Sequence, residues 1–493
     1  MSAPAQPEPM THGLSDPAAP RSLLAGLAGL AGGQPAPAAR LLSQEDCRAL
    51  TQKLLGFATA DETRVTVAST ARGNTRFAVN QISTAGDAYD ANVVVRSSFG
   101  RRSASASTNR LDDAALRGVV ERAEALARLA PEDPEALPEL GAQQYAEGRG
   151  YAAATAALDA AGRAAAVRAV TGPAQAAGLT ATGYLEAVAG AVAVANSRGL
   201  FAYDRRTGAS MTTTVRTPDG TGSGWAGASD ADWARVDAAA LGARAIDKAR
   251  RSANPVAVEP GRYTVILEPT AVANLVQLMA GALSARQADE GRSFFSKPGG
   301  GTKIGQRVVD ERVTLVSDPF DPEAPAAPFA GDGTPLRRVT WIENGVVRDL
   351  AYDRYWARRN NRAPNAGGGG GFGPPVGSLR MSGGASTLEQ MIASTPRGLL
   401  VTRLWYIRPV DPRTILYTGL TRDGTFLVEN GRVTRAVKNL RWNESPVFML
   451  NNLEAMGRPV RVSASEDGSP GAAIVVPPVK ARDFNFTSLS DAV

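Results

Sequence analysis

Histidine is almost missing from this chain of 493 residues: His12 is the single one, and it lies in a Pro-rich leading stretch. Cysteine is as scarce, with Cys47 alone. An HExxH site, a Cys/His zinc cluster, a Ser-His-Asp triad and a Cys-His dyad each need a histidine inside the folded domain, so this sequence excludes all four. One thiol excludes an intramolecular disulfide and fits a reducing compartment. No apolar run reaches the roughly 18 residues of a membrane span. Residues 22–31 (SLLAGLAGLA) have the look of an export signal, but some twenty polar and Pro-rich residues precede them with little positive charge. The expectation is a cytoplasmic protein without a membrane partner.

Charge of one sign is also in short supply. Lys and Arg number 54 against 48 Asp and Glu, a net +6 with no block of like charges. A nucleic-acid partner is not expected. What the chain does have is length, 43% hydrophobic residues and 21% charged ones, enough for two or three ordinary globular domains.

Residues 1–42 are Ala- and Pro-rich and aperiodic, and read as a disordered tail with a short helix at 23–30. An N-terminal α+β domain follows over 43–130. Ser43 caps a helix to about Leu55, strands are expected at 64–69, 75–82, 90–99 and 101–108, and a second helix starts at Leu111. A middle domain over 131–258 opens with a Pro-rich linker. It should hold an Ala-rich helix at 152–176 and strand-like runs at 180–189, 191–197, 200–207 and 210–217. The segment GTGSGWAG, 220–227, reads as a loop. It has glycines but no GxxxxGK[ST] and no place between strand and helix, so it is not a phosphate cradle. Asp230 or Asp232 should cap a further helix to about Arg251.

The last region, 259–493, is mainly β. Asn344-Gly345 and Asn430-Gly431 each supply the two positive-φ residues of a type I′ hairpin turn. The five glycines 367–371 read as a mobile loop or lid. The fold class is α+β: an N-terminal α/β unit with an antiparallel sheet, a middle helix-and-strand region, and a mainly β C-terminal domain. A strand at 263–267 leads into a helix opened by Pro269 and stopped by Gly291, with Val272, Leu275, Val276, Met279 and Leu283 on one buried face.

This helix, with Ser293-Phe294-Phe295-Ser296 after it, resembles that of the TldD/PmbA family, a two-subunit proteolytic system also described as a modulator of DNA gyrase. Supporting segments are Ala195-Asn196-Ser197-Arg198-Gly199, the strand before Pro269, and residues 386–398 and 426–438. In the family's zinc-bearing subunits the helix carries HExxxH, and a cysteine near the C-terminus completes the site. Alignment on 293–296 puts Val276, Gln277 and Gly281 on the motif's His, Glu and His, and Ala464, between Ser463 and Ser465, near the place of the cysteine. None can ligate zinc or serve as the base. The resemblance therefore implies the metal-free PmbA/TldE-type subunit, without a cofactor of its own. It would pair with a zinc-bearing TldD-like subunit and act on unfolded or extended peptides. A stand-alone peptide-binding module is the rival from another class. An enzyme of different chemistry using Asp423, Glu444 and Ser445 is a third reading.

The run 403–407 departs from the family's usual metal-free subunit in being rich in Arg and aromatics. As a strand it would place Leu404 and Tyr406 on one face and Arg403, Trp405 and Ile407 on the other. Arg403, Trp405 and Tyr406 are the candidate contacts to a peptide or partner.

Overall fold

A computed structural model describes residues 41–366, 378–463 and 473–490. The expected helix at 23–30, the glycines 367–371 and Ala464 with Ser465 lie outside the described residues. Helix α1 (Gln44–Phe57) begins at a reciprocal cap, in which Ser43 Oγ accepts from Asp46 N and the Asp46 carboxylate accepts from Ser43 N. Then come β1 (Glu62–Ala78), β2 (Gln81–Phe99), β3 (Arg102–Thr108) and α2 (Asp113–Leu129). Next are α3 (Ala153–Ala156), α4 (Ala160–Ala176), β4 (Thr180–Asn196), β5 (Phe201–Arg216), β6 (Ser223–Asp230) and α5 (Ala238–Arg251). The six strands form one antiparallel sheet in the order β3-β2-β1-β4-β5-β6. It takes strands from both sides of residue 131. Alternate residues bury Val65, Val67, Phe77, Leu185 and Met211 under α1, α2, α4 and α5, leaving the other face for the rest of the chain.

Several local expectations are corrected here. Residues 64–69 and 75–82 do not form two strands: β1 runs unbroken to Ala78, and the chain turns at Val79-Asn80, both left-handed (φ 50° and 62°). Val79 and Ile82 are β-branched and mimic a strand, but Asn80 fixes the turn, its side chain bonding Leu179 O and Ala181 N. Strands β4 and β5 likewise continue through the breaks placed at Gly190 and near Gly208. The Ala-rich helix is interrupted, because Asp159 accepts from Gly162 N and starts α4 afresh. Helix α5 is capped by Asp237, while Asp232 caps a single 3-10 turn.

The largest correction concerns 220–227. From Ser223 onward this is strand β6, and its glycines serve packing. A Cβ on Gly224 would lie 2.3 Å from Ala245 O and 2.4 Å from Ala249 N, both on α5. Bare backbone is what lets the helix press onto the strand.

The remaining elements are β7 (Gly261–Leu267), α6 (Pro269–Gly281), α7 (Ala285–Asp289), β8 (Leu315–Ser317), β9 (Val339–Glu343), β10 (Val346–Val347), α8 (Arg354–Arg359), β11 (Leu379–Met381) and α9 (Leu388–Ala393). After them come β12 (Arg397–Asp411), β13 (Leu416–Glu429), β14 (Arg432–Ala436), β15 (Leu440–Glu444), α10 (Pro446–Asn451), β16 (Leu453–Met456), β17 (Val460–Ser463), β18 (Ala473–Val476) and β19 (Val479–Leu489). Both Asn-Gly turns are present, with φ 48° and 77° at 344–345 and 49° and 74° at 430–431. One sheet has the order β10-β9-β8-β11-β18-β17. In the other, β12-β7-β19-β15-β13 closes on itself because β12 also pairs with β13, giving a five-stranded ring. The fold is α+β. Among the described residues no helix is long and apolar enough to cross a membrane.

Candidate functional site

Helix α6 follows β7 directly, with Pro269 at its first turn and Glu268 held by Lys248 Nζ at 2.7 Å. It ends at Gly281, short of the expected Gly291. Ser284 accepts from Gln287 N and starts α7 instead. Val272, Leu275, Val276 and Met279 are fully buried. Val276 thus faces the core, whereas Gln277 and Gly281, one turn apart, are half-buried. Nothing lies within 4 Å of a Cβ built on Gly281. Ser293, from the aligned segment, is buried and donates to Ala282 O at 3.0 Å, which ties that segment to the end of α6. Val276 and Gly281 offer no side-chain donor atoms and Gln277 only an amide, so this set does not fit zinc. Among the described residues no three His, Cys, Asp or Glu side chains come together in a way that could hold a metal ion.

Strand β17 packs on both α6 and β6, and its Arg461 reaches a cleft of about 560 Å³ over the helix-free face of the first sheet. The floor is made of small residues, among them Ala68, Gly190, Ala191 and Gly208. Three ion pairs line it: Arg72–Glu186 at 2.8 Å, Arg206–Asp204 at 3.1 Å and Arg461–Asp230 at 3.7 Å. Burial pushes the Asp204 carboxyl up to about 6 against the pull of Arg206. Burial also lowers the Arg461 guanidinium, with Asp230 opposing. Arg461 Nε donates to Ser229 O, so the charge doubles as a clamp between the first sheet and the C-terminal region. A flat floor of small side chains with fixed charges at its walls can admit a backbone lying extended. Reading the sequence missed this site. Its residues are spread from 68 to 461 and meet through strand pairing and the packing of β17 on β6; Asp204-Arg205-Arg206, the one run of adjacent charges in β5, was the visible signal.

The run 403–407 does not alternate as expected. A bulge between Trp405 and Arg408, with Tyr406 left-handed at φ 53°, leaves Leu404 and Ile407 buried and Tyr406 50% exposed. Arg403 is enclosed, its guanidinium 4.8 Å from the Trp225 ring and 5.0 Å from that of Trp405. Arg422 stacks on Trp405 at 5.0 Å. Asp423, 3.5 Å from Arg403 Nε, accepts from Ser223 Oγ at 2.6 Å. Arg403 and Trp405 therefore belong to one stacked cluster that joins β6 to the ring, while Tyr406 stands apart with Arg408 over its ring. Asp423 lines a different cavity from Glu444 and Ser445, so those three residues do not form one site.

Comparison with known proteins bears on these features. The chain matches PmbA/TldA metallopeptidase domain 1 over residues 65–127, the central domain over 145–253 and the C-terminal domain over 260–488. A protein named metalloprotease from Methanothermobacter thermautotrophicus is 22% identical over 256 residues, which are 49% of this chain and 53% of that protein. An uncharacterized protein of Methanocaldococcus jannaschii is 28% identical over 131 residues, 26% of this chain and 30% of the other. The matches thus span about half or less of these curated relatives. Among solved structures, TldE from Thermococcus kodakarensis superposes with a TM-score of 0.78 at 19% identity, covering 89% of this chain and 100% of that one. A proposed modulator of a DNA gyrase from Thermotoga maritima gives 0.78 at 18% identity, covering 90% and 100%.

Proposed function

The chain belongs to the PmbA/TldD metallopeptidase family, and on that premise we propose that it is the non-catalytic subunit of a two-subunit peptidase, holding an unfolded or extended peptide while a zinc-bearing TldD-like partner cuts it. The observation that carries this reading is α6. On the alignment of residues 293–296, it carries Val276, Gln277 and Gly281 at the positions of the zinc-bearing subunits' His, Glu and His, and the chain's single histidine is His12. The cleft beneath Arg461 supports the binding half of the proposal, since it offers an extended chain room over small side chains and charged walls. Trp405 and Tyr406, both reached by solvent, are the proposed contacts to peptide or partner, with Arg403 behind Trp405 as its support.

The test is metal analysis and casein digestion on the purified chain, alone and after co-purification from native cells. Alone it should carry no stoichiometric zinc and digest nothing. Activity should arrive with a second, zinc-containing chain. Zinc held one-to-one by this chain, with chelator-sensitive digestion, would overturn the proposal. Peptide binding with no second chain ever recovered would favour a stand-alone binding module.

A further inference from the structure

One end of the five-stranded ring opens into a cavity of about 530 Å³, separate from the cleft of the first sheet. Its walls are the starts of β7 and β13, the end of β15, helix α10 and the turn at Phe294. Leu440, Trp442 and Glu444 share the inward face of β15, so the strand delivers a carboxylate at the mouth of an apolar ring. Glu444 is 4% exposed. Its Oε1 accepts from Ser445 N at 2.8 Å and its Oε2 from Asn485 N at 3.1 Å. Among the described residues no cation lies within ion-pair distance of it.

The neighbouring amides direct donors at main-chain carbonyls. Asn485 Nδ2 donates to Asn443 O, and Asn451 Nδ2 to the carbonyls of Val308 and Val447. Ser445 Oγ donates to Thr414 O at 2.7 Å. What the lining offers is therefore led by an acceptor: the buried Glu444 carboxyl, with the amides of Asn451 and Asn485 beside it. Asn443 Oδ1 is buried without a partner. Arg262, the cation among the described lining residues, is engaged with Asp483 O at 3.2 Å and stacks over Phe448, while Lys303 is turned onto the Phe294 ring at 3.6 Å. Apolar surface from Phe294, Leu416, Val447 and Phe448 completes the wall.

An acceptor-lined pocket with apolar sides calls for a donor-rich head on a hydrocarbon stem. Each Glu444 oxygen already takes one main-chain N–H, which suits the point charge of an ammonium better than the two-pronged edge of a guanidinium. We propose that the mouth of this ring binds a primary ammonium group on a short apolar stem, supplied either by a free amine or by the amino end of a peptide.

Titration calorimetry of the full chain with phenethylamine at about pH 8, where Glu444 is ionised and the amine is still charged, tests this, with 2-phenylethanol as the uncharged control. The amine should bind saturably and the alcohol at least tenfold more weakly. Glu444→Gln should lower amine affinity at least tenfold and leave the alcohol unaffected. Arg262→Gln, at an exposed position, should tighten the amine several-fold by removing a like charge, and it remains informative if the Glu444 variant misfolds. Phenylalanyl-leucinamide and its N-acetyl form distinguish the two sources. Binding of phenethylamine but not of the free dipeptide assigns the site to free amines, and binding of the free but not the acetylated dipeptide admits chain ends. No saturable amine binding, equal affinity for amine and alcohol, or an amine affinity unmoved by Glu444→Gln or by Arg262→Gln would overturn the proposal.

Discussion

Glu444 shows how one side chain can carry a pH dependence. Burial holds its carboxyl near 7 instead of the usual 4.5, against two main-chain N–H bonds and the pull of Arg262. Between those two values the folded protein keeps a proton that the unfolded chain has released, so stability falls as pH rises through the window. The penalty is complete above about 7 and amounts to roughly 3 kcal/mol. Glu444→Gln has no such dependence. Melting curves from pH 4.5 to 8 should show the variant gaining on the parent as pH rises, by several degrees, on top of a constant offset from its altered hydrogen bonds. A parallel pair of curves would mean that Glu444 titrates normally. Residue-level reading of the sequence singled out Glu444 for its type alone. It could not see the cavity, because Arg262, Thr414 and Asn485 come from segments far apart in the chain.

Elements were legible where the signal is local. The Ser43 cap and the two Asn-Gly turns act through neighbours within a few residues, and all stand where the sequence puts them. Gly222 and Gly224 were not, because the reason for them lies on α5, a helix that sequence alone does not place against them. Gly224→Ala should cost about 1–3 kcal/mol, since its Cβ meets backbone that cannot swing aside. Gly56→Ala, with nothing within 4 Å, should be neutral or slightly stabilising. Equal melting temperatures for the two variants would discount close helix–strand approach as the cause. The same logic applies to α6. In the triple variant Val276→His, Gln277→Glu, Gly281→His, the first change buries an imidazole in the core and should cost about 2–3 kcal/mol, while Gly281→His meets open space. Metal analysis should find no stoichiometric zinc. A triple variant that binds one zinc tightly and keeps its melting temperature would show that α6 turns more freely than its packing implies.

At the scale of the whole molecule, the α+β class followed from patterning, but the closure of the ring did not. The pairing that closes it joins β12 to β13, and β19 fits between β7 and β15. Strand alternation says which face is buried and nothing about which strands are neighbours. Closure has a consequence in time. Strand β7 is made by residue 267, yet one of its edges is filled only by residues 479–486. During synthesis β7 and β15 each wait with an open edge, and such edges seek other chains. The ring can close only after residues 479–486 have left the ribosome. Ending the chain after Pro478 should therefore give a product that retains the first sheet's secondary structure but aggregates, and supplying residues 479–490 as a separate peptide during refolding should restore solubility. A soluble, monomeric truncated chain would show that β19 is dispensable. On this view β19 sets the moment at which the molecule stops being a hazard to its neighbours.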